Sequence, residues 1–326
     1  MQHSSALRVI PAGPFIAAGQ SLEVTVPGTS ANLGPGFDTL GLAVTLRDTV
    51  RVRAVESGTT TVTALGESAG TLPRDERHLV AKSLLATLHR AGRRSPGLEI
   101  DTVNVLPHGR GLGSSAAAIV SGAVAANALL ADEDRMDEKA LLQWCATLEG
   151  HPDNVASALS GSLAISWESG KAYFSTRLEV HPDVIPVAAV PGTSLSTDSA
   201  RALLPTSVSH WSAATNAGRA ALLVHALSAR PDLLLPATED FLHQDYRAPA
   251  MVASAMLVRA LRTAGFAAVI SGAGPTVMTL AVGEKQAAEA VIAARTLLDA
   301  SDTPDSWRVL RLDVDREGAK LGVHPG

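Results

Sequence analysis

The chain has 326 residues, of which 46% are hydrophobic and only 3% aromatic, with a formal net charge of −5 at pH 7. This length exceeds that of a usual single core, so two lobes built mainly on Ala, Val and Leu are expected. The net negative charge argues against binding to nucleic acid. The single cysteine, Cys145, excludes an internal disulfide and a cysteine metal cluster.

Strands and helices alternate irregularly along the first half of the chain. Residues 1–20, interrupted by Pro11 and Pro14, are expected to form a loosely ordered tail without a secretory signal. No run of about 18 uninterrupted apolar residues predicts a membrane span, so a cytoplasmic protein without a membrane partner is expected. Alternation or β-branched runs predict strands at 21–27, 42–55, 98–106 and 162–167, and helical periodicity predicts helices at 78–91, 115–131, 137–148 and just after Pro152.

The second half continues the mixed pattern. Strands are predicted at 184–190, 267–271 and 276–282, and helices at 213–229 and 249–264. A polar, glycine-containing turn at 168–170 is the best candidate boundary between two lobes. The irregular order favours an α+β fold over a doubly wound sheet.

The most informative segment is the glycine-rich stretch 107–117, which separates a predicted strand from a predicted helix of small residues. Backbone can approach an anion closely only where side chains are absent, and a helix N-terminus offers free N–H donors and the positive end of a dipole. The stretch therefore predicts a phosphate-binding loop, called the phosphate loop below.

Two common nucleotide motifs fit this loop poorly. A P-loop requires Gly-Lys followed by Ser or Thr, and the loop contains no lysine. Gly111, Gly113 and Ala116 match the G-x-G-x-x-G/A spacing of a dinucleotide-binding fingerprint. However, residues 107–110 separate the strand from the first glycine, and the acidic residues at 132–134 lie in a turn rather than at a strand end.

The phosphate loop resembles the central motif of the GHMP superfamily of small-molecule kinases, which includes galactokinase, homoserine kinase and mevalonate kinase. Residues 26–38 and 270–277 resemble the first and third motifs of that superfamily. Residues 149–156, 196–205 and 245–250 are similar to homoserine kinase segments. Because six segments follow one order, the chain is identified as resembling the homoserine kinase branch.

This resemblance implies a two-lobed fold with a nucleotide-binding N-terminal domain at 21–168, a C-terminal domain at 169–326 and an active site in the groove between them. It implies ATP and Mg²⁺ as cofactors and phosphorylation of the side-chain hydroxyl of L-homoserine, a step of threonine biosynthesis. The alternatives are another GHMP kinase of mevalonate or shikimate type, and a non-catalytic nucleotide-binding regulator, which would be expected to lose its magnesium ligands. The oligomeric state is not readable from the sequence, and a homodimer is expected only because dimers are common among soluble enzymes.

The resemblance also assigns residues to the nucleotide and its metal. The nucleotide-binding residues are Pro107, His108, Gly109, Arg110, Gly111, Leu112, Gly113, Ser114, Ser115, Ala116 and Ala117, with Arg110 reaching anionic oxygens from the rim. Ser115, or less favourably Ser114, and Glu149 match the magnesium ligands, and hard oxygen ligands suit this ion. The other serine is expected to cap the helix.

The acceptor, homoserine, is a zwitterion with a hydroxyl, so its site needs a cation, a hydrogen-bond acceptor for the ammonium and a group that positions the hydroxyl. The substrate-binding residues implied are Asn32, Asp38, His151, Arg201 and Arg247, where arginine pairs well with a carboxylate. Asn32 and Asp38 could instead brace the turn at 34–36. Thr197 and Asn154 are expected to position the hydroxyl. The resemblance implies either that no carboxylate base is needed, with the proton passing toward the phosphate, or that Asp153 is the base. Asp153 could equally cap its helix.

Overall fold

The computed structural model describes residues 13–300 and 306–323, and its N-terminal half is built on a seven-stranded sheet. Its strands are β1 (Ser21–Asn32), β2 (Gly36–Ala54), β3 (Thr60–Gly66), β4 (Leu98–Asn104), β5 (Leu163–Ser169), β6 (Ala172–Leu178) and β11 (Lys320–Val323). They follow the order β11-β1-β2-β4-β3, with β5 paired to β2 and β6 paired to β5. The four strands predicted at 21–27, 42–55, 98–106 and 162–167 are confirmed, whereas β3, β6 and β11 were not predicted.

Four helices accompany this sheet: α1 (Leu79–Arg90), α2 (Ser114–Leu129), α3 (Glu138–Glu149) and α4 (Asp153–Ser160). Their buried side chains share one core with β1, β2 and β4, and this core is rich in Ala, Val and Leu, as the composition predicts. Gly122 of α2 lets α1 approach closely, because a Cβ there would lie 2.4 Å from the Val80 carbonyl oxygen. Cys145 of α3 is fully buried, and burial raises the pKa of its thiol to about 12, so the prediction of an inert cysteine is confirmed.

A second sheet has four strands, which are β7 (Val184–Pro191), β8 (Ala267–Ile270), β9 (Val277–Val282) and β10 (Trp307–Arg311). They follow the order β10-β7-β9-β8. The remaining α-helices are α5 (Thr197–Arg201), α6 (His210–Ser228), α7 (Leu234–Ala237), α8 (Gln244–Arg247), α9 (Val252–Thr263) and α10 (Gly283–Asp299). Helices α9 and α10 pack on one face. The other face shares a core with α6, α7 and Leu40, Leu42 and Val44 of β2. The predicted α+β class is therefore confirmed.

The structure departs in two places from the expected division into an N-terminal tail and two lobes. Residues 1–12 of the expected tail lie outside the described residues, but the Ile16 amide donates to the Arg94 carbonyl at 2.9 Å and Ile16 is buried. Strands β6 and β11, which follow the expected boundary at 168, belong to the first sheet. The division at 168/169 stays a prediction. No helix within the described part of the chain is long and apolar enough to cross a membrane.

Candidate active site

One cavity of about 170 Å³ lies between the two sheets and collects residues that are far apart in the sequence. It is lined by the phosphate loop, the turn after β1, the start of α4, the segment at α5, Arg247 and the turn between β8 and β9. The predicted residues that it contains are Asn32, Asp38, Gly109, Gly111, Gly113, Ser114, Ser115, Glu149, His151, Asp153, Asn154, Thr197, Arg201 and Arg247. Every residue expected to bind the acceptor or metal, or to act in catalysis, therefore faces a single site.

The glycines of the phosphate loop are required by both backbone conformation and space. Gly109, Gly111 and Gly113 have φ values of 65°, 77° and 69°. A Cβ on Gly111 would lie 2.1 Å from the Ser271 carbonyl oxygen, and one on Gly113 would lie 2.0 Å from Thr29 Oγ1. The backbone of the loop is thus pressed against both lobes, and the N–H groups that begin α2 open into the cavity without a side-chain cap.

The expectation that Ser114 or Ser115 caps α2 is wrong. The helix begins at Ser114, so the capping position falls on Gly113, which has no side chain to offer. Both serines line the cavity instead. Free amides at a helix N-terminus are donors that a phosphate can accept from directly.

Six residues of the predicted loop do not line this cavity. Arg110 donates to the carbonyl oxygens of His108, Pro191 and Gly192 at 2.8, 2.9 and 2.6 Å, so it fastens the loop to the end of β7 rather than reaching from the rim. Leu112, Ala116 and Ala117 are buried in the hydrophobic cores, and Pro107 is also buried. His108 faces a neighbouring cavity.

That neighbouring cavity, of about 280 Å³, adjoins the loop at Gly109, Ser114 and Ser115 and was missed by sequence reasoning. His78 Nδ1 accepts a hydrogen bond from the Val80 amide, so its proton lies on Nε2, which is buried and has no partner among the described residues. Burial, and to a lesser extent the charge of His108, lowers the pKa of His78. The cavity therefore offers an unused N–H donor within mostly apolar walls.

Asp48 on β2 lines the same cavity. Its Oδ1 accepts hydrogen bonds from the Val105 and Leu106 amides at 2.7 and 2.9 Å, which fix the chain entering the phosphate loop. Burial outweighs these hydrogen bonds and raises the pKa of Asp48 to about 6. Asp48 lies within a predicted strand, and nothing in the sequence pattern indicates that it would bind the chain entering the phosphate loop.

The magnesium ligands implied by the sequence form a pair. Ser115 Oγ donates to Glu149 Oε1 at 2.5 Å. Burial raises the pKa of Glu149, and the hydrogen bond from Ser115 opposes that shift. Among the described residues no three His, Cys, Asp or Glu side chains come together to hold a metal. A hydroxyl and one carboxylate fit Mg²⁺, which keeps several waters and binds through substrate phosphates.

Asp38 and Arg201 face each other at the opposite end of the cavity. The two guanidinium nitrogens of Arg201 donate to the two carboxylate oxygens of Asp38, each at 2.8 Å. Asn32 holds this arrangement, because its Oδ1 accepts from the Asp38 amide at 2.9 Å and its Nδ2 donates to the Gly272 carbonyl at 2.8 Å. Asn32 thus braces the turn, as the alternative reading of the sequence allows, while Asp38 presents its carboxylate to the site.

Arg247 is buried beside this pair, with 2% of its surface exposed. Its guanidinium donates to the carbonyls of Ala200 and Gly272, each at 3.3 Å, and lies 5.2 Å from the centre of the Phe37 ring. No carboxylate of residues 13–300 or 306–323 forms an ion pair with it. Burial lowers the pKa of Arg247, and the charge of Arg201 adds to this effect, while the charges of Asp38, Asp240 and Asp153 oppose it. A buried cation without an anionic partner is costly, which indicates an anionic ligand in this corner of the cavity.

The start of α4 contributes a third group. Asp153 is buried, and its Oδ1 accepts hydrogen bonds from His151 Nδ1 at 2.7 Å and from the Asn154 amide at 2.8 Å. Burial alone would lower the pKa of His151, but the hydrogen bond and charge of Asp153 and the charges of Glu149 and Asp38 raise it overall. Asn154 Oδ1 accepts from Thr29 Oγ1 at 2.8 Å, and Thr197 is exposed at the start of α5.

Two further residues that support the site were not assigned from the sequence. Asn216 on α6 donates to the Pro35 carbonyl at 2.8 Å and accepts from the Phe241 amide at 3.1 Å, so it clamps the turn after β1. His243 touches both that turn and Arg247. Both contacts join segments about 180 to 210 residues apart, and sequence spacing alone carries no information on such pairs.

Comparison with known proteins agrees with this architecture. The family model for the GHMP kinases N-terminal domain matches residues 78–162, which include the phosphate loop and Glu149. A solved mevalonate diphosphate decarboxylase from Staphylococcus aureus shares the fold, with a TM-score of 0.67 at 16% identity over 93% of this chain and 98% of that one. Two sheets with a glycine loop leading into a helix in the groove between them define the GHMP kinase class.

More similar proteins specify the family within that class. Homoserine kinases of Streptomyces avermitilis and Clavibacter michiganensis are 50% and 46% identical over 95% and 94% of this chain and 98% and 96% of their own. The solved homoserine kinase from Cytophaga hutchinsonii superposes with a TM-score of 0.83 at 29% identity, covering 94% of this chain and 99% of that one. The chain belongs to the homoserine kinase family.

Proposed function

We propose that this chain transfers the γ-phosphoryl group of ATP to the side-chain hydroxyl of L-homoserine, forming ADP and O-phospho-L-homoserine in threonine biosynthesis. The observation that carries this proposal is the pairing of a phosphate loop with a zwitterion site in one cavity. Asp38 can accept from an ammonium, and the positive charges of Arg201 and Arg247 can pair with a carboxylate. The homoserine kinase relatives described above support the same activity.

The nucleotide would bind through the phosphate loop. The triphosphate accepts hydrogen bonds from the free amides at the start of α2, where the helix dipole also favours negative charge. The adjoining apolar cavity would take the nucleoside, and the unpaired His78 Nε2–H would donate to an acceptor on the base. The loop and the acceptor residues share one cavity, so the γ-phosphate would be held near the acceptor.

Ser115 and Glu149 would hold magnesium together with phosphate oxygens and water. When bound there, the ion supplies positive charge that offsets the charge of the triphosphate. Ser115 would then turn its hydroxyl oxygen from Glu149 toward the metal, and Glu149 would be ionised. Burial raises the pKa of Glu149 in the metal-free protein, so a bound cation would balance the charge of the ionised carboxylate.

The acceptor hydroxyl would lie between Thr197, Asn154 and Asp153. In phosphoryl transfer the hydroxyl oxygen bonds to the γ-phosphorus as the bond to the departing ADP oxygen breaks, and protein groups act chiefly by position and charge. Asp153 Oδ1 already accepts from His151 and the Asn154 amide, which leaves Oδ2 to orient the hydroxyl or take its proton. We therefore propose Asn154 and Thr197 as positioning groups and Asp153 as the candidate base.

Other acceptors fit the site less well. Mevalonate and shikimate carry a carboxylate but no ammonium, so neither would offer Asp38 the ammonium that homoserine brings. A regulator without catalysis has no need of a Ser115–Glu149 pair facing the phosphates. ATP and a free amino acid are cytosolic metabolites, which supports a cytoplasmic location, and a homodimer stays a prediction.

Arginine variants test the acceptor site. Replacing Arg247 or Arg201 with Ala should lower kcat/KM for L-homoserine by about 10- to 100-fold, because a charge-assisted hydrogen bond contributes roughly 1.5–3 kcal/mol. The KM for ATP should stay within about threefold of the wild type. Arg259→Ala, which removes an exposed arginine of α9 paired with exposed Asp245, is the matched control and should be neutral. An equal loss of kcat/KM for ATP and for L-homoserine, or no loss of kcat/KM for L-homoserine, would contradict the assignment.

A further inference from the structure

His243 is enclosed between the turn after β1 and Arg247, with 1% of its surface exposed. Its Nε2 lies 2.8 Å from the Gly34 carbonyl oxygen and its Nδ1 lies 3.1 Å from a terminal nitrogen of Arg247. The ring centre is 5.2 Å from that of Phe37, the same ring over which the Arg247 guanidinium sits. His243 therefore connects the turn that carries Asp38 with the buried arginine.

The partners determine where the imidazole proton lies. A guanidinium only donates hydrogen bonds, so His243 Nδ1 must accept, and a carbonyl oxygen only accepts, so Nε2 must donate. The neutral ring protonated at Nε2 satisfies both contacts. An imidazolium would point an N–H at the Arg247 cation. Burial lowers the pKa of His243 and the charge of Arg247 acts in the same direction, which outweighs the nearby charge of Asp240 and favours the neutral ring.

Arg247 has little else to set its orientation. Its two carbonyl contacts, to Ala200 and Gly272, are long at 3.3 Å, and no carboxylate in the described part of the chain pairs with it. The contact to His243 is shorter, and it is made from a ring that is itself anchored to the Gly34 carbonyl. Turning the ring or removing Nδ1 would release the guanidinium to rotate over Phe37.

We propose that His243 is a positioning residue for the acceptor: its Nδ1 holds the Arg247 guanidinium in the orientation that binds the substrate carboxylate, and its Nε2 ties that orientation to the turn carrying Asp38. This inference rests on the proposed function and deepens it. His243 acts through Arg247 and does not touch the substrate.

Two amide variants separate the two ring nitrogens. In His243→Asn the side-chain oxygen can take the place of Nδ1 and accept from Arg247, whereas in His243→Gln the longer amide can take the place of Nε2 and donate to Gly34. The proposal predicts that H243Q raises the KM for L-homoserine by about tenfold or more, with kcat and the KM for ATP within about threefold of the wild type. H243N should keep the KM for homoserine within about threefold.

A truncated ligand separates positioning from general disruption of the site. The compound 3-aminopropan-1-ol keeps the ammonium and hydroxyl of homoserine but lacks the carboxylate. Its competitive inhibition constant should be within about twofold in H243Q and wild type, because Arg247 has nothing to bind in it. Thermal melting of each variant, measured in parallel, shows whether the protein is folded at the assay temperature.

Several results would overturn the proposal. These are an unchanged KM for homoserine in H243Q, an equal rise in the KM and the 3-aminopropan-1-ol inhibition constant, or a rise in H243N as large as in H243Q. If H243Q does not fold, H243N decides alone: a KM within about threefold of the wild type supports the proposal and a rise of about tenfold overturns it. Failure of the wild type to phosphorylate homoserine would instead refute the proposed function.

Discussion

Glu149, the proposed magnesium ligand, is a buried carboxyl whose protonation affects both stability and activity. Its pKa is raised by burial in the absence of a cation, so the folded state holds the proton more tightly than the unfolded state does. The stability that this carboxyl contributes is present at low pH and is lost as the pH rises through its folded pKa. The ionised side chain therefore destabilises the metal-free protein.

Replacing Glu149 with Gln should consequently separate stability from activity. The amide oxygen can still accept from Ser115, so the metal-free variant should melt at or above the wild-type temperature at pH 7. Its magnesium-dependent ATP turnover should fall by about 100-fold, because a charged ligand is lost. Differential scanning calorimetry and a coupled ADP assay measure the two effects, with exposed Glu133→Gln as the neutral control. A clearly less stable or fully active E149Q would contradict this account.

Asp48 allows a prediction of pH dependence with its sign. Its pKa is raised from 3.8 to about 6, so its contribution to stability is complete below pH 3.8 and is lost as the pH rises through about 6. Asn at this position keeps the acceptor for the Val105 and Leu106 amides without the charge. The D48N variant should exceed the wild type in free energy of unfolding by up to about 3 kcal/mol at pH 8, from 1.36 kcal/mol per pKa unit.

Urea unfolding of both proteins at pH 4.5 and pH 8 tests this. The stability difference should shrink strongly at the lower pH, where the wild-type carboxyl regains its proton. A difference that does not change with pH would show that Asp48 is ionised in the folded protein throughout this range.

The sequence predicted some residues of the site and missed others. Asp38, Arg201 and Arg247 lie in segments that resemble family motifs, and they share one cavity. His78 and His243 were missed because their importance depends on what surrounds them in three dimensions. An unpartnered nitrogen or a contact across 209 residues leaves no periodic trace in the sequence.

At the scale of elements, the phosphate loop offers a steric test. Gly111→Ala would place a methyl group against the Ser271 carbonyl, and the backbone also has positive φ there. The loop must shift, so the KM for ATP should rise by about tenfold or more. Gly218→Ala on α6 is the matched control, because a Cβ there meets nothing within 4 Å. It should leave the KM unchanged and stabilise the helix by up to about 1 kcal/mol. A wild-type KM for ATP in G111A would contradict the proposed cradle.

In the first sheet, strand β4, which was predicted, and strands β3 and β6, which were missed, differ in their burial. β4 alternates buried and exposed residues along its whole length, which gives the two-residue period that predicts a strand. β6 is an edge strand without a fully buried residue, and β3 buries only Val62, so neither has such a period. Both are defined by hydrogen bonds to a neighbouring strand, which the sequence of the segment does not encode.

At the scale of the molecule, the two sheets share a hydrophobic core. Leu40, Leu42 and Val44 of the first sheet pack against Val269 and Met278 of the second. Because neither sheet can lose this contact alone without exposing apolar surface, the chain should unfold in one cooperative transition. Tryptophan fluorescence, with Trp144 and Trp167 near one sheet and Trp307 in the other, should give the same urea midpoint as far-UV circular dichroism. Two separate midpoints would show that the lobes are independent.

In the proposed reaction, one groove between the lobes brings ATP and L-homoserine together. This is tested by measuring ADP formation by purified protein with magnesium and ATP, offering L-homoserine, mevalonate, shikimate or no acceptor, and by identifying the product by ³¹P NMR. We expect turnover with L-homoserine alone and O-phospho-L-homoserine as the product. Turnover with mevalonate or shikimate in its place, or ATP binding without turnover for any acceptor, would contradict the proposed reaction.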